Sequence, residues 1–142
     1  MSTIEEFYVK VSTTYSDIYE HVPVHKRLAE ECDSVVELGA SSMISTWGFL
    51  MGLKPRGKYV GVNNSIPSEE TYNTAKRLAE EKCISFNFIT RDELKIKPEE
   101  IGECDMLFID SIHTYCHVTY ELETFGHLAK KYINNKILIK QT

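Results

Sequence analysis

The sequence has 142 residues, a length that suits one domain able to bury a core without disulfides or bound metals. Its net charge of -5 disfavours a general nucleic-acid-binding role, which usually needs a basic face. No signal peptide or membrane-spanning apolar run is visible, and the 4 cysteines show no Cys-x-x-Cys spacing. These features predict a single cytoplasmic domain over residues 1–142, with free thiols and with neither nucleic acid nor a membrane as partner.

The predicted elements alternate between helix and strand from residue 23 onward. Residues 1–22 are expected to form an N-terminal helical segment, and Pro23 suits the first turn of a helix that continues to Cys32. Short apolar runs predict strands at Ser34–Leu38, Lys58–Val62, Ile84–Ile89, Asp105–Ile109 and Lys136–Ile139. Helices are predicted at Met43–Leu53, Glu70–Lys82, Pro98–Ile101 and Thr114–Tyr132.

This alternation predicts an α/β fold of the Rossmann-like, doubly wound type, with a mainly parallel five-stranded sheet and helices on both faces. The strands are nearly continuous apolar runs, as strands buried on both faces are. In such sheets, ligands bind beyond the carboxyl ends of the strands, where the strand order reverses. Functional residues are therefore expected just after Leu38, Val62, Ile89, Ile109 and Ile139.

A glycine follows the first predicted strand, and an asparagine pair follows the second. Gly39 permits close approach of a ligand to the backbone, although turn geometry alone explains a glycine there equally well. Glu37 is placed to pair with a ligand ammonium group or with a loop amide. Asn63 either accepts a hydrogen bond from a ribose hydroxyl, as Asp or Glu does in nucleoside-binding sheets, or simply forms a turn.

Acidic residues follow the third and fourth predicted strands. Asp92 either accepts from an adenine amino group or caps the next turn, and the cap is favoured. Asp110 and His113 can orient a substrate hydroxyl, act as base and partner, or supply two ligands to a divalent metal. Alternatively, Asp110 binds helix amides and His113 packs beside Tyr115. His113 and His117 share a helix face, but two histidines without a third placed ligand do not predict a metal site.

Two long segments resemble one protein family. The first is SVVELGASSMISTWGFLMGL, which resembles the first motif of class I S-adenosylmethionine-dependent methyltransferases. The similarity is to the branch of cephalosporin-hydroxylase-like and sugar O-methyltransferase proteins. The second is DMLFIDSIHTYCHVTYELETFGHLAKKYI, which resembles the Phe-Ile-Asp-Thr-Leu-His-Thr-Tyr segment of that branch. The likeness runs in order over residues 24–142.

The resemblance implies S-adenosylmethionine as the cofactor and, for an active enzyme, methylation of a hydroxyl group on a small molecule or sugar. It implies catalytic roles for Asp110 and His113, which would orient or deprotonate the acceptor. The methionine end of the cofactor would lie at Glu37, Gly39 and Ala40, the ribose at Asn63 and the adenine near Asp92. The full set of implied cofactor-binding residues is Glu37, Gly39, Ala40, Ser41, Asn63, Asp92 and Asp110.

The sequence departs from this branch at three places. Ser41 stands where arginine is common, and Asn63 replaces the usual ribose-binding acid. In metal-using members, carboxylates after the fourth and fifth strands hold magnesium, which activates the acceptor hydroxyl. Here the fifth strand is followed by Lys140, Gln141 and Thr142, where the branch has His-Asp-Thr or Glu-Asp-Thr. Because a lysine ammonium group repels a divalent cation, no well-formed metal site is expected.

The resemblance implies further strands after this point in relatives, so a sheet edge open to pairing is expected. A homodimer through that edge is the expected remedy. These features support a second hypothesis, in which a degenerate, non-catalytic domain of this fold serves as a binding or assembly module. A dinucleotide-dependent oxidoreductase is disfavoured, because Ser41 stands where Gly-x-Gly-x-x-Gly requires its second glycine.

Overall fold

The structure is a computed structural model that describes residues 3–16, 19–40, 43–66, 68–110 and 115–135. Its helices are α1 (Ile4–Thr13), α2 (Val22–Ala29), α3 (Ile44–Gly52), α4 (Glu69–Glu81), α5 (Pro98–Ile101) and α6 (Tyr115–Phe125). Its strands are β1 (Ser34–Leu38), β2 (Lys58–Asn63), β3 (Ser85–Thr90), β4 (Cys104–Ile109) and β5 (Ala129–Asn135). Short 3-10 turns lie at Tyr19–His21, Glu93–Lys95 and Gly126–Leu128.

The strands form one parallel sheet in the order β3-β2-β1-β4-β5. The chain moves from β1 through β2 to β3 in one direction and then returns to place β4 and β5 on the other side of β1. The strand order therefore reverses between β1 and β4. This arrangement confirms the predicted Rossmann-like α/β fold with a five-stranded parallel sheet.

Alternate side chains along each strand pack into two cores, one on each face of the sheet. The first core lies between the sheet and helices α1–α4, and its members include Val35, Tyr59, Met106, Leu50 and Leu78. The second core lies against α5, α6 and the segment after β3, and its members include Val36, Val60, Leu107, Ile101 and Phe125. The prediction of helices on both faces is thus confirmed.

One aromatic contact and one helix cap help to fix helices α1 and α4 beside the first core. Phe7 anchors α1, because its ring stacks on that of Trp47 with the centroids 4.4 Å apart. Ser68 caps α4 by accepting a hydrogen bond from the Thr71 N–H at 3.1 Å. Across the described ranges, every helix is too short or too polar to cross a membrane.

The predicted boundaries were wrong near the C-terminus. The helix predicted over Thr114–Tyr132 ends at Phe125, and the fifth strand occupies Ala129–Asn135. The backbone N–H and C=O groups of β4 need partners on the side away from β1, and β5 supplies them along its length. This pairing outweighs the helix propensity of the lysine-containing segment. The predicted strand Lys136–Ile139 lies outside the described residues.

Candidate functional site

The carboxyl ends of β1, β2 and β4 meet at the same end of the sheet. Leu38 is paired with Val62 of β2 and with Ile109 of β4. The Asp110 N–H donates to the Leu38 carbonyl at 2.8 Å, so Gly39 and Asp110 begin their loops side by side. These two residues flank the point where the strand order reverses, which is where ligands bind in open α/β sheets. The structure therefore brings Gly39 and Asp110, which follow the first and fourth predicted strands, next to each other.

The turn after β1 has a backbone conformation that favours glycine. Gly39 has a φ of 87°, which lies in the left-handed region. The N–H groups of Gly39 and Ala40 both donate to the carbonyl of Val62, at 2.8 and 3.2 Å. Ala40 is buried and Gly39 is half-buried. Because no side chain projects from Gly39, a bound molecule can approach the backbone of this turn closely.

Glu37 is fully buried and accepts hydrogen bonds from three hydroxyl groups. Its Oε1 accepts from Tyr59 at 2.6 Å and from Thr46 at 2.8 Å, and Ser45 donates to its Oε2. The donors lie on β2 and α3, so this carboxyl group fastens the start of α3 to the sheet. Burial raises the pKa of Glu37, the three hydrogen bonds oppose that rise, and the charge of Asp110 adds to it. The contact between Glu37 and a cofactor stays a prediction.

The Tyr59 hydroxyl reaches Glu37 through space that Gly61 leaves open. Gly61 is paired with Glu37 on the neighbouring strand. A Cβ at Gly61 would lie 2.8 Å from the Tyr59 hydroxyl and 2.8 Å from the ring of Phe88. Burial and the adjacent Glu37 carboxyl raise the pKa of Tyr59. The phenol is therefore a protonated, dependable donor to Glu37.

Two further predicted residues lie at the carboxyl ends of β2 and β3, where Asn63 is the last residue of β2 and Asp92 comes shortly after β3. The Asn63 Nδ2 donates to the Ser65 carbonyl at 2.7 Å, and its Oδ1 accepts no hydrogen bond from the described residues. Asp92 caps the turn Glu93–Lys95, because its Oδ1 accepts from the Leu94 N–H at 3.0 Å. The capping alternative for Asp92 is therefore present. Its second carboxylate oxygen accepts nothing from the described residues, and the side chain is exposed.

The remaining predicted residues are placed only in part. Asp110 is half-buried at the end of β4 and near enough to Glu37 for its charge to raise the pKa of that group. Ser41, His113 and residues 136–142 lie outside the described ranges. The pairing of Asp110 with His113 and the expected lack of a magnesium site at residues 140–142 therefore stay predictions.

Solved structures with the same arrangement show which fold this is. The O-methyltransferase TomG from Streptomyces achromogenes, in complex with S-adenosylmethionine, matches 84% of this chain with a TM-score of 0.60 and 16% identity. The O-methyltransferase from Bacillus cereus, in complex with S-adenosylhomocysteine, matches 92% with a TM-score of 0.61 and 17% identity. Cofactor-bound Rv0187 from MTB matches 89%, also with a TM-score of 0.61 and 17% identity. The chain has the class I methyltransferase fold.

The likeness shows the methyltransferase fold alone, because the sequences are so different. This chain spans 60%, 61% and 62% of the lengths of TomG, Rv0187 and the Bacillus cereus enzyme. No protein-family model matches the sequence, and no curated protein is similar to it in sequence. Cofactor, substrate and activity therefore follow from the site itself, as proposals.

A second group of polar side chains lies where α6 packs against the turn after β3. Glu93 follows β3, whereas His117 and Glu121 lie one turn apart on α6, and one ligand atom from each lies within 4.8 Å of the other two. The spacing of His117 and Glu121 is visible in the sequence. The group is not predicted from the sequence, because Glu93 lies 24 residues before His117 and no short motif links it to α6. Without Glu93, the pair His113 and His117 has no third placed ligand.

Proposed function

We propose that this chain binds S-adenosylmethionine in a crevice at the carboxyl ends of β1 and β4, beside Gly39 and Asp110. The observation that carries the proposal is the adjacency of Gly39 and Asp110 where the strand order reverses, within a methyltransferase fold. TomG and the Bacillus cereus enzyme, which share the fold, were solved with S-adenosylmethionine and S-adenosylhomocysteine, respectively.

The side chains at the carboxyl ends of these strands suit the chemical groups of the cofactor. Ribose hydroxyls and the adenine amino group are hydrogen-bond donors, so they need acceptors. Asn63 offers its Oδ1 to the ribose, and Asp92 offers its second carboxylate oxygen to the amino group. The open turn at Gly39 accommodates the methionine end beside Ala40. The donor and acceptor chemistry of the described residues therefore fits this nucleoside.

We further propose that the reaction is methylation of a hydroxyl group on a small molecule or sugar. The cofactor supplies an electrophilic methyl group when bound. Asp110 stands at the end of a rigid, fully buried strand, where its carboxylate can orient an acceptor hydroxyl. His113 comes three residues later in the sequence and is assigned the proton that the hydroxyl releases.

Calorimetric titration with S-adenosylhomocysteine tests the binding proposal. Gly39→Ala is expected to weaken binding at least about tenfold, or 1.4 kcal/mol, because a methyl group enters the crevice and strains the turn. Gly102→Ala is the matched control, since Gly102 also has a positive φ, 80°, but an added Cβ there meets nothing within 4 Å. We expect wild-type affinity from the Gly102 variant. Absence of both heat and a thermal shift with wild-type protein at millimolar ligand would remove the cofactor proposal.

A methyl-transfer assay separates an enzyme from a non-catalytic module. The observation that favours the module is Asn63, whose neutral amide is a weaker ribose partner than a carboxylate. Binding of S-adenosylhomocysteine without methyl transfer to a panel of sugar and small-molecule hydroxyls would support the module. Sedimentation velocity at micromolar concentration tests the homodimer that we propose for that case, and a monomer that transfers methyl groups would exclude it.

A further inference from the structure

We propose that Glu93, His117 and Glu121 form a binding site for a divalent first-row transition-metal ion, for which Zn²⁺ is the best match. The three side chains connect the turn after β3 to α6. They are distinct from Asp110 and from residues 140–142, which correspond to the magnesium-binding positions of the family that the sequence resembles. The proposal does not depend on cofactor binding or methyl transfer.

The spacing of the ligand atoms suits a small cation. His117 Nε2 contacts Glu93 Oε1 directly and lies 3.9 Å from Glu121 Oε1. Ligand atoms in a tetrahedral zinc site, with bonds of about 2.0–2.1 Å, lie about 3.3 Å from one another. An ion therefore fits between the three groups once the Glu93 carboxyl group turns away from the imidazole. Such a turn is easy, because the terminal torsion of a glutamate is broad.

The burial of Glu93 points independently to a bound cation. The residue is 8% exposed, and its Oε2 is buried with no hydrogen-bond partner among the described residues. Buried carboxylate oxygens are normally paired, since an unpaired one forfeits its hydration without compensation. Within the described ranges, His117 is the only side chain that forms an ion pair with Glu93. A metal ion would supply the interaction that Oε2 lacks.

The ligand set favours a transition metal over magnesium or calcium. Zn²⁺ and its neighbours bind imidazole nitrogen and accept carboxylates beside it, whereas Mg²⁺ and Ca²⁺ prefer oxygen ligands alone. Glu121 is fully buried and His117 is largely buried, so these ligands are held in place by the packing of α6. Three protein ligands leave a coordination position for water or another molecule. A bound ion would also fasten the turn after β3 to α6.

Titration of the full chain with Co²⁺ tests the site, because this ion reports its nitrogen and oxygen ligands through visible absorption. The metal-stripped protein carries Cys83→Ser and Cys116→Ser, since these exposed thiols bind the same metals. We expect saturation at one equivalent of Co²⁺, followed by displacement with Zn²⁺. Glu93→Gln and His117→Gln are each expected to weaken Co²⁺ binding by more than about tenfold. Glu123→Gln and His127→Gln, at exposed positions on α6 and just after it, are matched controls.

The titration of the serine-substituted parent decides the proposal even when a variant does not fold. Circular dichroism of each variant identifies those that retain the fold. The absence of a saturable Co²⁺ signal in the parent would overturn the proposal. It would also be overturned if the control substitutions weakened Co²⁺ binding as much as Glu93→Gln and His117→Gln do. Displacement of Co²⁺ by Mg²⁺ at the concentration that suffices for Zn²⁺ would overturn the transition-metal assignment.

Discussion

Replacing Glu37 with alanine is expected to lower the free energy of unfolding by about 3–5 kcal/mol. The substitution removes the shared acceptor of Tyr59, Thr46 and Ser45 and opens a cavity in the first core. The hydroxyl oxygens of Thr46 and Tyr59 lie 3.1 Å apart and can still hydrogen-bond to each other. The loss is therefore smaller than the cost of leaving three buried hydroxyl groups without a partner. Urea-induced unfolding followed by circular dichroism measures the change.

Two controls separate the buried network from a general effect of losing a glutamate. Glu37→Gln keeps the volume and one carbonyl acceptor, so we expect a loss of about 1 kcal/mol. Glu80→Ala removes an exposed glutamate from α4 and is expected to stay within about 0.5 kcal/mol of wild type. If Glu37→Ala lost no more stability than Glu80→Ala, this carboxyl group would not be what holds α3 to the sheet.

Acidification is expected to destabilise the protein through His25. Its ring is fully buried beside Phe49 and Phe108, with ring centroids 4.9 and 4.5 Å away. Burial, aided by the charge of His21, lowers the pKa of His25 from 6.5 to about 3. The unfolded chain binds a proton below pH 6.5 that the folded chain binds only near pH 3, so stability falls across this window. The loss is about 1.4 kcal/mol per pH unit, or about 2 kcal/mol at pH 5.

Unfolding free energies at pH 7 and pH 5 check this prediction. His25→Leu has a similar volume and does not titrate, so its pH dependence should be smaller by about 2 kcal/mol across this interval. His127→Leu makes the same change at an exposed histidine and should keep the wild-type dependence. Equal pH dependence in wild type and His25→Leu would show that the folded state accommodates a charged His25.

The sheet could be predicted where strands are buried on both faces. Such strands are apolar runs, and Ser34–Leu38 was predicted with its observed bounds. The strands Lys58–Asn63 and Cys104–Ile109 each differ from the prediction by one residue. Ala129–Asn135 could not be predicted in the same way, because this edge strand is polar and is specified by pairing with β4.

The site was predictable at the level of loops rather than of side-chain partners. Parallel strand ends must share an edge, so the adjacency of Gly39 and Asp110 follows from the pattern of elements. The hydrogen-bond partners of Glu37 do not follow from that pattern, since the Tyr59 hydroxyl comes from 22 residues further along the chain. The contact between Glu93 and His117 likewise depends on how α6 packs over the turn after β3.

Backbone amide chemical shifts, recorded by NMR during titration with S-adenosylhomocysteine, test most directly that the loops after β1 and β4 form one nucleoside pocket. We predict saturable shifts of the amide signals of Gly39, Ala40, Asn63 and Asp110. The signal of Gly102, which precedes β4 at the opposite end of the sheet, should stay unchanged. Unchanged signals at Gly39 and Asp110 with millimolar ligand, or shifts confined to the end of the sheet near Gly102, would contradict the proposed pocket.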